Sequence, residues 1–584
     1  MAEAIVGRSA PGAGEGRSWL ARIVRGDVDR ALLLALVPLY VGTSCVLPLA
    51  RLGLELVFAG ESGLVGEVLA ARSTQRALRN TLEAATLSAL LAVFSGATFA
   101  FLTGLFDLRG RRLATLLFLL PILVPAQIAA IAWLQLASPA SPVSGLLGLT
   151  PEPGAENPLY SREGVILLLA LEHATMPFLT VRAGLAAISA EQVEAARNAG
   201  ARPARVLVRI VLPLLRPALW AGGALAFVAA LGNFGISALL GIPGRYTLLT
   251  SLIYQRLSGF GPRVLPEVGV LAGLLALLAV VGLLLQAALG RGVAGEAGRR
   301  QLDHPPIPLG RARWLLEPLA WGVLLLVTVM PLLALRASAL VPAVGVPLTL
   351  ETLTFRHFEL LAAAHGAVPR AFTNSLLLAA LAALLCAAAS LPLAWLVHAA
   401  RSRVARALDL LADAPWALSG IVLAIAVILV FSTPLPVLGV SLYGTLAILI
   451  VAYAGRFLAL ALRPIAAGVQ QIEPALDEAA ANLGARPIRR LSSVHLPLLL
   501  PSVAAGALLV FMTALNELTV SALLWSTGNG RLGVVVFMLY DEGNTGGAAA
   551  VGTVAVAVVL LLAAGASALA RILGLPRGVL PWQS

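Results

Sequence analysis

The chain has 584 residues, of which 59% are hydrophobic and only 12% are charged, and its mean hydropathy is +0.92. This composition excludes an ordinary water-soluble domain and predicts an integral membrane protein. The formal net charge is +12, but the basic residues cluster in short loops between apolar runs, as orientation signals do. A nucleic-acid-binding surface is therefore not expected.

Arginine supplies all 41 basic residues, because the sequence contains no lysine. A phosphate-binding loop of the Gly-x-x-x-x-Gly-Lys-Ser/Thr type needs its lysine to contact the phosphates. The chain is therefore not expected to hydrolyse ATP, and an ATP-driven process would need a separate ATPase chain. Cys45 and Cys386 lie in apolar runs and imply no disulfide framework. No metal-ligand spacing and no catalytic constellation emerges, so we expect no cofactor, no metal and no enzymatic activity of the chain's own.

The first half of the chain contains six apolar runs, each long enough to cross a bilayer as a helix. They follow a polar segment, 1–30, which we expect to be cytoplasmic. The arginine-rich loop after the second run also favours a cytoplasmic position. We predict membrane-spanning helices near residues 31–50, 80–105, 113–136, 164–187, 213–240 and 266–289.

A basic segment with adjacent prolines, 291–313, predicts a cytoplasmic linker, after which the pattern restarts. Asn374 and Ser375 repeat Asn80 and Thr81 at an offset of 294 (374 − 80). In the second half we predict spans near residues 314–336, 372–398, 408–431, 444–465, 497–525 and 549–573.

Six spans per half give both halves the same orientation, which is a parallel repeat about an axis along the membrane normal. The sequence therefore predicts an all-α integral membrane protein of about twelve helices, with both termini in the cytoplasm. We divide it into two domains, 1–300 and 301–584.

One stretch occurs in both halves, 284 residues apart (478 − 194), and it falls in a polar loop each time. Both copies begin with Glu-Ala-Ala and have a glycine six positions after the glutamate. Both continue to a Leu-Pro pair whose proline lies nineteen positions after the glutamate. The residues are Glu194, Ala195, Ala196 and Gly200 in the first copy, and Glu478, Ala479, Ala480 and Gly484 in the second.

Local physics predicts the same shape for both copies. Pro474 suits the first position of a helix, and Gly200 and Gly484 can adopt the left-handed conformation that ends one. The Arg-Pro pair that follows each glycine forces an extended step. Each copy therefore predicts a short helix, a sharp turn and a second helix that enters an apolar span.

This motif closely resembles the EAA loop of binding-protein-dependent ABC importer permeases, and with the repeated helix pattern the resemblance covers nearly the whole chain. It implies that each loop forms a coupling helix on the cytoplasmic face, which docks into a groove on an ATPase subunit. Each set of four loop residues would dock one of two ATPases. The resemblance also implies a substrate-binding protein outside, either periplasmic or lipid-anchored, and a location in the cell (inner) membrane.

Each half also carries a polar break in the span that follows the loop. Asn233 lies in the first break, and Asn516 and Glu517 lie in the second. An ionisable group at membrane depth costs about 2.5–3.5 kcal/mol on insertion scales, so it usually faces a cavity or a partner. We predict that these three residues line the translocation pathway; the alternative is interhelical hydrogen bonding without substrate contact.

The sequence is compatible with more than one transported solute. Asn-Phe-Gly in one half and Asn-Glu-Leu in the other resemble fused permeases of the ferric-iron type, although Asn516 stands where a basic residue is more usual. Similar permeases serve thiamine or phosphonates. A proton-coupled major-facilitator-type transporter is a further alternative, because the loop with Asp107 and Arg109–Arg112 resembles that family's signature with one residue fewer.

Two smaller interpretations concern ionisable residues in or near the spans. Glu172 and His173 could form a proton relay, but a helix-packing pair or a position near a water-filled cleft is favoured. Asp409 and Asp413 are four residues apart, so we expect them to share one helix face. Asp409 also follows Arg406 by three residues, and we expect these two side chains to pair.

Overall fold

The computed structural model describes residues 28–143, 155–188, 195, 198–201, 203–289, 308–362, 366–398, 402–434 and 439–572. These residues form helices and connecting turns, and no strand occurs among them. Nine of the described helices are long and apolar enough to cross a membrane, and the number reaches twelve if each of three bent helix pairs is one span. The all-α membrane fold is confirmed.

Thirteen helices build the described part of the first half. They are α1 Val28–Val41, α2 Leu47–Glu61, α3 Leu64–Ala70, α4 Arg72–Gly104, α5 Arg111–Leu123, α6 Ala126–Ala137, α7 Arg162–His173, α8 Thr175–Ala187, α9 Pro203–Val206, α10 Leu212–Leu214, α11 Arg216–Gly232, α12 Leu249–Leu257 and α13 Val264–Leu289.

The described second half repeats this order. Its helices are α14 Arg313–Leu324, α15 Met330–Ala339, α16 Glu359–Ala362, α17 Ala367–His398, α18 Arg403–Ala417, α19 Gly420–Phe431, α20 Leu446–Gln471, α21 Pro474–Asn482, α22 Pro487–Arg490, α23 Leu496–Leu515, α24 Ser521–Leu524, α25 Leu532–Asp541 and α26 Thr545–Ile572.

The third and ninth predicted spans are broken rather than straight. The helical path bends by 108° between α5 and α6, and by 111° between α18 and α19. Val124 is extended because it precedes Pro125, and Leu418 is extended at the matching break. The fifth and eleventh spans also end earlier than predicted, at Gly232 and Leu515. Apolarity alone could not locate these breaks to the residue, because apolar residues resume directly after each short interruption.

Four π-helical turns precede an X-Pro pair at matching places in the two halves. They are Gly42–Val46, Leu207–Val211, Leu325–Val329 and Leu491–His495. Proline lacks an N–H and its ring clashes with the carbonyl four residues earlier, so the preceding backbone widens to hydrogen bonds between residues five apart. The repeat therefore extends to backbone irregularities.

The first span of each half packs against the other half. Helix α1 contacts α17, α18 and α22, while α15 packs on α6. Tyr40 donates a hydrogen bond to the Ala454 carbonyl over 3.0 Å, and Ser338 donates one to Gln135 over 3.0 Å. The two halves are thus interlocked, and each completes part of the other's core.

Candidate docking loops and translocation pathway

The second Glu-Ala-Ala loop has the predicted helix–turn–helix shape. Pro474 is the first residue of α21, Gly484 has a φ of 79° in the left-handed region, and Arg486 is extended before Pro487 starts α22. The left-handed turn needs glycine, because a Cβ would approach the following carbonyl oxygen.

One side of this loop is an uncovered surface within the chain. Glu478 and Ala479 are exposed, and Ala480 is half-buried. Two leucines beside them are also uncovered: Leu476 is 47% exposed and Leu483 is 89% exposed. Small alanines flanked by exposed leucines form a surface that another protein can approach closely.

The first loop is described only in part. Gly200 has a φ of 80°, and the carbonyl of Ala195 accepts a hydrogen bond from the N–H of Ala199 over 3.0 Å. The turn therefore matches that of Gly484. Glu194 and Ala196 lie outside the described residues.

The polar breaks of the two halves meet the bends of the broken helices. Asn516 donates a hydrogen bond to the carbonyl of Leu123, at the bend of the first half, over 3.3 Å. A Cβ added to Gly232 would lie 3.1 Å from the Cβ of Ser419, at the bend of the second half. Non-helical backbone is tolerated at membrane depth only where protein buries it or a water-filled cavity faces it.

Asn233 joins two elements of the first half. Its side-chain oxygen accepts from the N–H of Ile236 over 3.0 Å, and its amide donates to the carboxylate of Glu172 over 2.9 Å. Glu172 therefore bonds to the predicted pathway residue, whereas its neighbour His173 is buried with no partner for Nε2 among the described residues. No hydrogen bond joins the two in the described network, so the structure gives no support to a direct relay between them.

Glu517 is held by its own half. Its carboxylate accepts hydrogen bonds from the Val520 N–H over 2.7 Å, from the Tyr453 hydroxyl over 3.1 Å and from both the N–H and the hydroxyl of Ser521 over 3.2 and 3.1 Å. This is the interhelical bonding offered above as the alternative. A contact between Glu517 and cargo stays a prediction.

Two arginines near Glu517 were missed by the sequence reasoning: Arg456, which is half-buried, and Arg531, which is buried. Arg456 donates to the Leu418 carbonyl over 3.2 Å and interacts electrostatically with Glu517. It lies ten residues into α20, about 15 Å along the helix, which is near the middle of a hydrocarbon core of about 30 Å. Arg531 lies over the ring of Tyr453, 4.9 Å from its centroid. The only available signal was the repeat, since Arg456 occupies the position of Glu172 (456 − 284).

The repeated Asn-Thr and Asn-Ser pairs have a structural role in both halves. Asn80 donates to the Thr247 carbonyl over 3.0 Å, and Asn374 donates to the Gly530 carbonyl over 3.2 Å. The hydroxyls that follow accept backbone N–H groups from Leu249 and Leu532, over 2.8 and 2.9 Å. Each pair fixes the segment beyond the polar break to the start of a long helix.

The loop after α4, which resembles the major-facilitator signature, holds the start of the second half. Asp107 accepts from the Leu309 N–H over 2.8 Å and pairs with Arg313. The Leu309 hydrogen bond, followed by that of Arg313, lowers the pKa of the Asp107 carboxyl. The residue is therefore explained by contacts within the chain.

The predicted pairing of Asp409 with Arg406 is wrong. Asp409 and Asp413 both bind Arg463, on helix α20. The one-face spacing of the two carboxylates is as predicted, but packing against a neighbouring helix supplies the partner, which no local pattern could show.

These features together define a membrane permease built from two similar halves. The family model described as "binding-protein-dependent transport system inner membrane component" matches the chain twice, at residues 88–295 and 389–574. The chain belongs to this family, and it is a permease of the ABC importer type. Members of this family are transport components without an ATPase site of their own.

Relatives of similar length carry the same kind of description. The chain is 26% identical over 526 residues to a probable ABC transporter permease of Sinorhizobium fredii, covering 89% of this chain and 90% of that one. It is 24% identical to an Fe(3+)-transport system permease of Haemophilus influenzae, over 86% and 92%. It is 30% identical to a putative 2-aminoethylphosphonate transport system permease of Salmonella paratyphi A, over 38% and 81%.

Proposed function

We propose that this permease is driven by two separate ATPase subunits, one on each Glu-Ala-Ala loop. The observation that carries the proposal is the exposed surface formed by α21 and its C-cap, where Glu478, Ala479 and the capping Leu483 are uncovered beside the left-handed turn at Gly484. The matching turn at Gly200 supports an equivalent dock in the first half. The proposed docking residues are Glu194, Ala195, Ala196, Gly200, Glu478, Ala479, Ala480 and Gly484.

The docks would face the cytoplasm of a multi-pass protein in the inner membrane. Arginines concentrate in the loops that share this end, such as Arg109–Arg112, which favours a cytoplasmic position. A substrate-binding protein, periplasmic or lipid-anchored, would deliver the cargo at the opposite end. Both termini would then be cytoplasmic.

The pathway would run between the halves, where the breaks converge. Asn233, Asn516 and Glu517 sit at the ends of interrupted helices, as binding sites of transporters often do. ATP binding would bring the ATPases and their docked loops together and turn this passage outward. Such a cycle requires that nucleotide interact more favourably with one state of the complex than with the other.

Ferric iron, or a similar small solute, is the proposed cargo. The Fe(3+)-transport relative matches across both halves, whereas the phosphonate relative matches 38% of the chain. Fused architecture therefore favours the ferric type, with thiamine and phosphonate as alternatives. A proton-driven secondary transporter is the least favoured alternative, because it would need no ATPase docks.

A pull-down from mildly solubilised membranes tests the proposal. Wild-type chain should recover an ATPase, and the Glu194→Ala/Glu478→Ala double variant should recover much less. A Glu473→Ala variant is the matched control, because Glu473 is exposed next to α21 and makes no side-chain cap. Absence of an ATPase with the wild-type chain in several mild detergents would contradict the proposal, as would equal recovery with the double variant.

A further inference from the structure

The buried side of the second docking helix is held by one carboxylate. Asp477 lies next to Glu478 but points into the chain. It accepts a hydrogen bond from Arg490 over 2.8 Å and one from the indole N–H of Trp395 over 3.3 Å. The Nε2 of His495 lies 2.8 Å from the same carboxylate.

The partners of Asp477 form one compact unit. The Arg490 guanidinium lies over the Trp395 ring, 5.3 Å from its centroid, and the rings of Trp395 and His495 meet edge to face. Trp395 and His495 are each only 1% exposed. Hydrogen bonds to a charged acceptor are about twice as strong as neutral ones and fix geometry, so α21 is tied firmly to the bundle.

The π-turn makes this arrangement possible. Arg490 and His495 are five residues apart, and in an α-helix they would point about 140° away from each other. In the turn Leu491–His495 the hydrogen bonds join residues five apart, so such residues come onto one face. Both side chains can therefore reach Asp477.

The first half has the same π-helical turn, but its side chains there are apolar. Its π-turn, Leu207–Val211, brings Val206 and Val211 onto one face, and both are buried in a cluster that includes Phe101 at its edge. By the repeat, Val206 matches Arg490 and Val211 matches His495 (offset 284), while Phe101 matches Trp395 (offset 294). The position of Asp477 is Val193 in the first half.

The partners of Asp477 in the second half also contact a helix from the first half. Trp395 belongs to an apolar cluster that contains Leu33 and Val37 of α1, the span that the first half contributes to the second. Helix α1 also contacts α22, which carries Arg490. Movement of α21 can therefore pass through Asp477 to both halves.

We propose that Asp477 is a positioning residue that transmits movement of the second docking helix to the membrane bundle, through Arg490, His495 and Trp395. The two docks of this permease are then unequal: the second is joined to the bundle by charge-assisted hydrogen bonds, whereas the first half has valine at the position of Asp477 and buried valines at the positions of Arg490 and His495. This inference rests on the proposed docking function, because it concerns what the docked helix moves.

The test measures movement at the end opposite to the docks. Spin labels are placed on Phe260→Cys and Glu542→Cys, which are exposed and belong to different halves; the native cysteines are buried. The distance between the labels is recorded for the permease–ATPase complex without nucleotide and with Mg-ATP, and ATPase recovery is measured in the same samples.

Asp477→Ala should reduce the nucleotide-dependent change in label distance to less than half of the wild-type change, after normalisation to recovered ATPase. The quadruple variant Asp477→Val/Arg490→Val/His495→Val/Trp395→Phe installs the side chains of the first half and should keep more than half of the change. Asp477→Asn replaces the alanine variant in the same comparison if that variant does not assemble.

A wild-type change in the Asp477 variant would overturn the inference, as would a quadruple variant with no more movement than Asp477→Ala. Failure of the docking proposal itself looks different, because the wild-type chain would then recover no ATPase at all. A merely structural role of Asp477 predicts lower recovery with unchanged movement per assembled complex, and that result also counts against the inference.

Discussion

The two places where a first span crosses into the opposite half differ in how closely the helices approach. At Gly455, a Cβ would lie 2.2 Å from the Ser44 carbonyl of the first span. The matching residue of the other half is Leu171 (455 − 284), and there a cavity of about 50 Å³ separates it from the seventh span, with Glu172 and Val327 also in its lining. Val327 matches Ser44 (327 − 283). The crossing is therefore close at the glycine of the second half, whereas a cavity lies at the leucine of the first half.

The same contrast recurs in the polar centre. The helix bends and π-helical turns occur in both halves, but most of the charged residues at the polar centre belong to the second half. Arg456 stands where the first half has Glu172, Glu517 where it has Asn233, and Arg531 where it has Leu248 (531 − 283). The repeat therefore specifies the backbone, while the side chains have diverged toward different tasks.

The largest effect is expected on transport. Glu517→Gln should reduce uptake of the cargo carried by the co-purified binding protein by at least about tenfold, which corresponds to about 1.4 kcal/mol in a barrier. Asn233→Ala should reduce it less, because the first half lacks the neighbouring arginines. Uptake by Glu517→Gln at the wild-type rate, with normal ATPase recovery, would exclude the carboxylate from the pathway.

The single variants Leu248→Arg and Arg531→Leu, each of which installs the residue of the other half, distinguish an effect on stability from an effect on transport. Both are 2% exposed, and the Nε and Nη1 of Arg531 have no hydrogen-bond partner among the described residues. Leu248→Arg should destabilise the protein by about 3–5 kcal/mol, because it buries an unpaired charge. Arg531→Leu should be nearly neutral or stabilising in thermal unfolding, yet reduce transport. Loss of more stability in Arg531→Leu than in Leu248→Arg would refute this asymmetry.

The close helix contact at Gly455 should not accommodate one added methyl group. Gly455→Ala should destabilise by about 1–3 kcal/mol or more, since the carbonyl of Ser44 is backbone and can move little. Gly565→Ala is the control, because no atom lies within 4 Å of its added Cβ and alanine is the better helix former by about 1 kcal/mol. Thermal unfolding in detergent measures both, and equal behaviour of the two variants would contradict the close crossing.

The smallest effect is expected at Asp107, which anchors the seventh span and has an arginine, Arg401, at its repeat position (401 − 107 = 294). Because the pKa of Asp107 is lowered in the folded chain, its contribution is present above the ordinary carboxyl pKa and is lost as pH falls through the lowered value. Asp107→Asn should remove this part of the acid sensitivity of unfolding. An unchanged difference between neutral and acid pH would contradict the assignment.

Periodicity and repeats predicted the part of the fold that depends on apolarity and local turns. The span positions, the helix that starts at Pro474 and the left-handed turns at Gly200 and Gly484 all follow from local rules. The bends at Val124 and Leu418 were not predicted, although Pro125 follows the first and Ser419-Gly420 the second, because each bent helix pair taken as a whole is apolar enough to be one span.

The missing site residues depend on partners that are distant in the sequence. Arg456 interacts with Glu517 and Arg531 meets Tyr453 only through helix packing, and Asp477 meets Trp395 across 82 residues. Reading each repeat position against its counterpart would have marked them, since charged residues replace Leu248 and Val193.

Site-directed cross-linking from both loops tests most directly whether the chain carries two ATPase docks. Ala195→Cys and Ala479→Cys are single, exposed positions in the two loops, and Cys45 and Cys386 are buried, so background labelling is low. We predict that each variant cross-links to a separate ATPase subunit, giving two ATPases per permease when both cysteines are present. Cross-linking from only one loop, or from neither in a complex that retains the ATPase, would contradict it.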